Sequence, residues 1–264
     1  MSEPVSSAGG LEGEVRTGLR RLVLGLADSK RILGIRYSDW LLGAPSVETG
    51  IAASAMAQDE WGHARLLYAM LKDFDLDPMA YEHERGSEQY ASVDPLDRPF
   101  EDWADVVAGI VLVDGALTIA LDAFSRGLYE PARSRVPKMI SEEAFHADMG
   151  RAWFRRLARG REEARGRLEE SSRRILGRTL AWLGPDDEAH RTLAELGMTD
   201  PAPALRSGFL DSVGTLLSQV GIEASELEPE TEGWDEERGR GPGGPDEDAV
   251  VRARGDLNRD LFVE

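Results

Sequence analysis

The chain reads as an all-α protein, a helical bundle with additional helices after it. Three observations predict this. Long stretches with apolar residues at helical spacing follow one another between Gly and Pro breaks. Two of those stretches carry the same turn, Glu60-x-x-His63 and Glu143-x-x-His146, between apolar flanks. No stretch has the pattern of a β-domain, and there is no glycine-rich phosphate cradle or nucleic-acid motif.

Each element follows from local sequence. Residues 11–42 form the first helical candidate, with Leu19, Leu22, Leu26, Ile32 and Leu33 on its apolar side, and Gly43-Ala44-Pro45 ends it. Residues 47–74 form the second; its small residues Ala52, Ala53, Ala55 and Ala57 permit close helix contact. Residues 75–100 are a connection, punctuated by Asp77-Pro78, Asp94-Pro95 and Arg98-Pro99, in which Tyr81, Tyr90 and Phe100 are read as packing residues. Residues 103–128 resume the helix through a nearly unbroken apolar run from Val106 to Val113, and Asp114 follows directly. A carboxylate embedded there needs a partner or a ligand. Residues 133–159, 162–183, 187–196 and 209–220 complete the helical pattern, the later ones as buttresses or subunit contacts. The chain divides into a helical domain, 1–225, and an acidic, Gly/Pro-rich C-terminal tail, 226–264. The tail reads as extended or mobile, with residues 257–263 a docking peptide.

Composition narrows the function. A formal charge of −18 repels a nucleic-acid backbone and anionic membranes. It leaves room for local basic groups, and the Arg-rich run over residues 151–178 supplies them, most as a solvated helix face. The absence of cysteine removes disulfide and thiolate chemistry. No long uninterrupted apolar stretch and no secretory pattern in residues 1–10 stand out, so the expectation is a cytoplasmic protein with no membrane span.

The chemistry lies in the paired turns. Residues three apart on a helix reach one side, so Glu60 with His63, and Glu143 with His146, can each offer a carboxylate and an imidazole to one metal. Two such turns facing each other across a bundle frame a di-iron or di-manganese carboxylate site, and Asp114 is the candidate for a further carboxylate. The chain has only 4 His, and two of them sit in these turns. Spacing alone does not choose between iron and manganese, since both accept oxygen and imidazole ligands.

Three stretches carry a family resemblance: Trp40-Leu41-Leu42-Gly43-Ala44-Pro45, Gln58-Asp59-Glu60-Trp61-Gly62-His63, and Leu112-Val113-Asp114-Gly115-Ala116 followed by Glu142-Glu143-Ala144-Phe145-His146. In these the chain resembles the phenylacetic acid catabolic protein family, the ferritin-like subunits of phenylacetyl-CoA ring-1,2-epoxidase, over residues 26–153 and more weakly toward Val220. The resemblance implies a ferritin-like bundle and a multicomponent non-haem di-iron oxygenase acting on an acyl-CoA. Its partners would be a separate reductase and a related ferritin-like subunit, in an oligomer. Glu60, His63, Asp114, Glu143 and His146 match the metal residues of the catalytic subunit.

The first helix departs from that pattern. Lys30 stands where the remaining ligand glutamate is expected, and Asp28 lies roughly 200° away around the helix. Lys30 either points into the acidic cavity and replaces metal charge or extends to solvent. Iron, manganese, a mixed-metal site and a metal-free site all remain open at this point. So do two other functions: a metal-free structural partner subunit, and a ferritin-like metal-binding oxidase with another substrate. Tyr37, Trp61 and Phe145 are read as bundle packing, and Arg36 and Arg65 as surface salt pairs.

Overall fold

The computed structural model describes residues 4–261. The protein is all-α, a ferritin-like helical bundle, and no strand occurs among the described residues. Helix α1 (Gly13–Ser38) and α2 (Val47–Tyr68) form the first hairpin and pack along their length. The turn over residues 39–46 ends at Ser46, whose hydroxyl caps α2 by accepting from Thr49 N at 3.3 Å.

The second hairpin joins a continuous helix, Trp103–Arg126, to a long partner. That helix is α4 (Trp103–Ala108), a π-helical turn (Gly109–Asp114) and α5 (Gly115–Arg126). It is long and apolar enough to cross a membrane by length and composition, which the sequence reading did not anticipate. However, 83% of its apolar window is buried inside the bundle, the burial of a core helix. Its partner is α6 (Glu130–Ala158), which starts with Pro131 in its first turn, where no intrahelical N–H is required.

Between the hairpins runs a crossover, residues 69–102, containing a short helix, α3 (Pro78–His83). The crossover is tied to α1 by buried polar groups. Ala91 N donates to Asp28 Oδ2 at 2.8 Å, Val93 N to Ser29 Oγ at 3.0 Å, and Arg36 Nη2 to Leu96 O at 2.8 Å. Tyr90 is buried as expected of a packing residue, while Tyr81 and Phe100 are half-buried against the core.

The later helices buttress the bundle. Helix α7 (Glu162–Leu183) packs on α4 and the π turn, α8 (Glu188–Glu195) on α1, and α9 (Ala202–Leu217) on α5 and α7. The segment after 225, read from sequence as extended or mobile, instead lies against the bundle and contains a helix, α10 (Glu247–Arg254), packed on α1 and α3. Arg240 is fully buried in it and bonds Ser92 and Asp97. Of the expected docking peptide over residues 257–263, Leu257 and Leu261 are exposed, and Phe262 and Val263 lie outside the described residues.

Candidate functional site

Four helical segments aim polar groups at one point in the core. Lys30 comes from α1, Glu60 and His63 from α2, Asp114 from the end of the π turn, and Glu143 and His146 from α6. All six are buried. Glu60, Asp114, Glu143 and His146 each offer a ligand atom within 4.8 Å of the others, a buried group that could hold a metal ion. A π-type turn next to the site shifts the register of the following residues, and it ends on Asp114.

The space between the carboxylates contains the Lys30 ammonium. Its Nζ donates to Asp114 Oδ1 at 2.6 Å, to Glu60 Oε1 at 3.1 Å, and to Glu143 Oε1 in a shorter contact. Lys30 is 0% exposed, so it does not extend to solvent. Burial opposes its charge, but Asp114, Glu143 and Glu60 outweigh burial and hold its pKa well above that of ordinary lysine. Glu60 moves the other way. Burial and then Asp114 push its carboxyl up to about 7, against the pull of Lys30. Burial also pushes Glu143 up, but Lys30 and the close contacts of both histidines win, leaving it well below the usual range.

His146 is held at both ring nitrogens and His63 at Nε2. His146 Nδ1 lies 3.1 Å from Asp114 Oδ2, 3.2 Å from Glu60 Oε1 and 3.3 Å from Glu143 Oε2. Burial opposes the charged ring, but these partners outweigh it and raise the His146 pKa above that of an ordinary imidazole. His63 Nδ1 is 3.1 Å from Glu143 Oε1, although not in hydrogen-bonding alignment. On the outer side the two motifs are crossed: His63 Nε2 meets Glu142 Oε2 at 2.9 Å, and His146 Nε2 meets Asp59 Oδ2 at 3.4 Å. Each acid immediately before a motif glutamate holds the histidine of the other motif.

Asp59 and Glu142 were missed by sequence reasoning, although a signal was present: both motifs begin with two consecutive acids. Tyr37, read as packing, is buried and also donates to Asp114 Oδ2 at 3.1 Å. Thr118 Oγ1 bonds Asp114 O at 3.0 Å and lies 3.4 Å from Glu143 Oε2. Phe145 is a correction, being 53% exposed rather than packed in the core. Arg36 is another: it is buried and anchors Leu96 and Asp246, not a surface pair. Asp28, the other acid of the first helix, faces away from the cluster and is gripped by Arg85, with Tyr68 donating to it.

A family model described as phenylacetic acid catabolic protein matches residues 9–240. The chain belongs to that family. Among curated proteins, one subunit of the 1,2-phenylacetyl-CoA epoxidase of Escherichia coli (strain K12) is 27% identical over 192 residues, covering 70% of this chain. The chain spans 61% of that relative's length.

The fit of a two-metal centre can be tested on these residues. The donor types suit an ion, and Glu60 Oε2 is buried without a partner. Yet the sixth position is a lysine, and its ammonium bridges all three carboxylates where cationic charge would sit. With Lys30 so placed, the arrangement does not fit two metal ions. A cavity of about 100 Å³ reaches Asp114, Glu143 and His146 from the α9 side, past Thr118, Arg151 and Ser212. That is smaller than the ~300–1,000 Å³ of typical small-molecule sites.

Proposed function

We propose that this chain is a ferritin-like subunit of a multicomponent oxygenase resembling phenylacetyl-CoA epoxidase, in aromatic catabolism, and that it serves there as the metal-free partner subunit. One observation carries the choice of role: the buried Lys30 ammonium bonds Glu60, Asp114 and Glu143 at once. A buried cation of this kind supplies the charge that a metal supplies in a catalytic relative, and it rigidifies the core around it. The cavity beside the cluster adds support, since it is too small for an aromatic acyl group with its thioester. In this reading the oxygen chemistry, the acyl-CoA and the contact with a reductase belong to the assembled cytoplasmic complex, and a related subunit holds the metal.

A second reading, a catalytic subunit with iron as the metal, is favoured by the five retained donors Glu60, His63, Asp114, Glu143 and His146 and by the similarity to a phenylacetyl-CoA epoxidase subunit. It requires Lys30 to leave the space between the carboxylates. Manganese or a mixed-metal site would make the same demand, as would a ferritin-like oxidase with another substrate.

Anaerobic titration with Fe(II) and Mn(II) separates the readings. The expected result is no stoichiometric binding by the native chain, binding by Lys30→Glu, and unchanged assembly of the native chain with a related ferritin-like subunit. Stoichiometric loading of the native chain, with phenylacetyl-CoA turnover that follows it, would overturn the metal-free role.

A further inference from the structure

The corner where α6 gives way to α7 concentrates positive charge. Residues 151–161 hold Arg151, Arg155, Arg156, Arg159 and Arg161 and no acid, in a chain of net charge −18. All five are exposed, and so is Arg165 in α7. Further along α7 the arginines find carboxylates: Arg167 meets Glu163, Arg173 meets Glu169, Arg174 meets Asp105 and Arg178 meets Glu230, between 2.5 and 3.5 Å. Arg151 reaches Asp148 only at 4.0 Å. Among the described residues, Arg155, Arg156, Arg159, Arg161 and Arg165 meet no carboxylate.

The fold does not account for this charge. Cations suit the C-terminal end of α6, which favours Arg155, Arg156 and Arg159 one by one. Arg161 stands at the opposite kind of end. It is the N-cap of α7, makes no capping bond with its side chain, and opposes the helix dipole. Arg155 and Arg159 are also a like-charge pair four residues apart, which is destabilising in itself. Arg156 is held in place, its guanidinium 4.7 Å from the centre of the Trp153 ring, and Trp153 packs edge-on against Trp103 at 5.4 Å.

We propose that this corner is the docking surface for an acidic protein partner, one whose carboxylates recur at every fourth position of an exposed helix. Arg155 and Arg159 lie one turn, about 6 Å, apart along α6, the spacing of such a carboxylate row. Guanidinium and carboxylate pair through two parallel hydrogen bonds, so the match is geometric as well as electrostatic. The five side chains are exposed on an open surface, which disfavours a phosphorylated small molecule enclosed in a pocket. A nucleic acid carries a charge every ~1.7 Å and would run on past the arginines over an acidic protein. An acidic patch of limited length ends where the arginines end. None of the five belongs to the buried cluster, so the proposal goes beyond the role assigned above and stands whichever subunit holds metal.

Fluorescence anisotropy of the full chain tests it, with a labelled helical peptide that carries Glu at every fourth position among alanines. Binding is expected in about 0.1 M salt and should vanish in about 1 M, as the Debye length falls from about 10 Å to about 3 Å. Arg155→Glu with Arg159→Glu should weaken it about tenfold or more, and so should Arg161→Glu with Arg165→Glu. Arg133→Glu with Arg191→Glu makes the same charge change at exposed sites elsewhere and should leave it within about twofold. Every variant should keep the native circular dichroism, since each replaced side chain is exposed. Absence of binding, a loss shared by the control pair, or equal binding of a peptide with the same residues in scrambled order would overturn the proposal. So would tighter binding, through the same arginines, of inorganic pyrophosphate, of single-stranded DNA of equal charge or of a phosphatidylserine vesicle.

Discussion

Lys30 Nζ lies 2.6 Å from Asp114 Oδ1, with both side chains out of reach of solvent. The pair joins the first helix to the π turn at the centre of the bundle. A buried ion pair is weak evidence of net stabilisation, but breaking one is costly because the remaining charge is uncompensated. Lys30→Met should therefore destabilise the protein by about 3–5 kcal/mol at neutral pH in urea unfolding. The deficit should shrink as pH falls, because protonating Glu60 and Glu143 removes the charge that Lys30 neutralised. An equal deficit at all pH values would contradict this account.

Lys30→Glu makes a different prediction. The ammonium is replaced by a further donor, and the four-residue group that could hold a metal ion gains a carboxylate. Divalent metal should then raise the melting temperature of this variant in proportion to the logarithm of free metal, as for any ligand bound only by the folded state. The native chain should show no such dependence, and calorimetry with Mn(II) reads both.

Glu60 gives the pH dependence. Its folded pKa, pushed up to about 7 by burial, lies above that of an unfolded glutamate. Between those values the folded state binds the extra proton, so the Glu60 contribution is favourable at low pH and is lost as pH rises through about 7. Glu60→Gln, uncharged at every pH, should be more stable than the native chain by roughly 1–3 kcal/mol above pH 8, with the gain vanishing below the pKa of an unfolded glutamate, about 4. The check is a pair of pH-stability profiles; parallel profiles would reject the shift.

The paired Glu-x-x-His turns and Asp114 in its apolar run were legible because each follows from local spacing; the end of the first helix was not, since α1 stops at Ser38 rather than at Gly43-Ala44-Pro45. Lys30 was legible only as a departure, since two orientations of a long side chain fit the same helix position. The crossed contacts of Asp59 and Glu142 depend on how α2 and α6 face one another, which no local pattern fixes. The docking of the segment after 225 was hidden for a related reason. Its composition suggests disorder, but its anchors, Arg36 and Asp246, lie 210 positions apart.

Asp28 and Arg85 form a second buried pair, away from the cluster and capped by the rings of Tyr68, Tyr81 and Tyr90. Asp28→Ala should cost about 3–5 kcal/mol by orphaning the guanidinium. Metal uptake by the Lys30→Glu background should be unaffected, which would separate Asp28 from the ligand set. Loss of metal binding in the folded double variant would place Asp28 in the site instead.

Close backbone approach makes the last prediction. Gly150 on α6 faces the π turn, and an added Cβ would lie 2.5 Å from Ile110 Cγ2 and 3.2 Å from Val111 Cγ2. Alanine favours an exposed helix interior over glycine by about 1 kcal/mol, so propensity alone would make Gly150→Ala stabilising. The clash acts against it. Ile110 is buried and β-branched, with little rotamer freedom to yield, so α6 and the π turn must separate. Overpacking of this kind costs about 1–3 kcal/mol, and a net loss of stability is expected. The displacement also acts on Asp114, which closes the π turn, and on His146, one helical turn from Gly150. The measurable signature is a weakened His146–Asp114 contact, read as a fall in the His146 pKa by NMR alongside the stability loss. A Gly150→Ala variant more stable than the native chain would show that the π turn gives way freely, and that its register is not what sets Asp114 in the cluster.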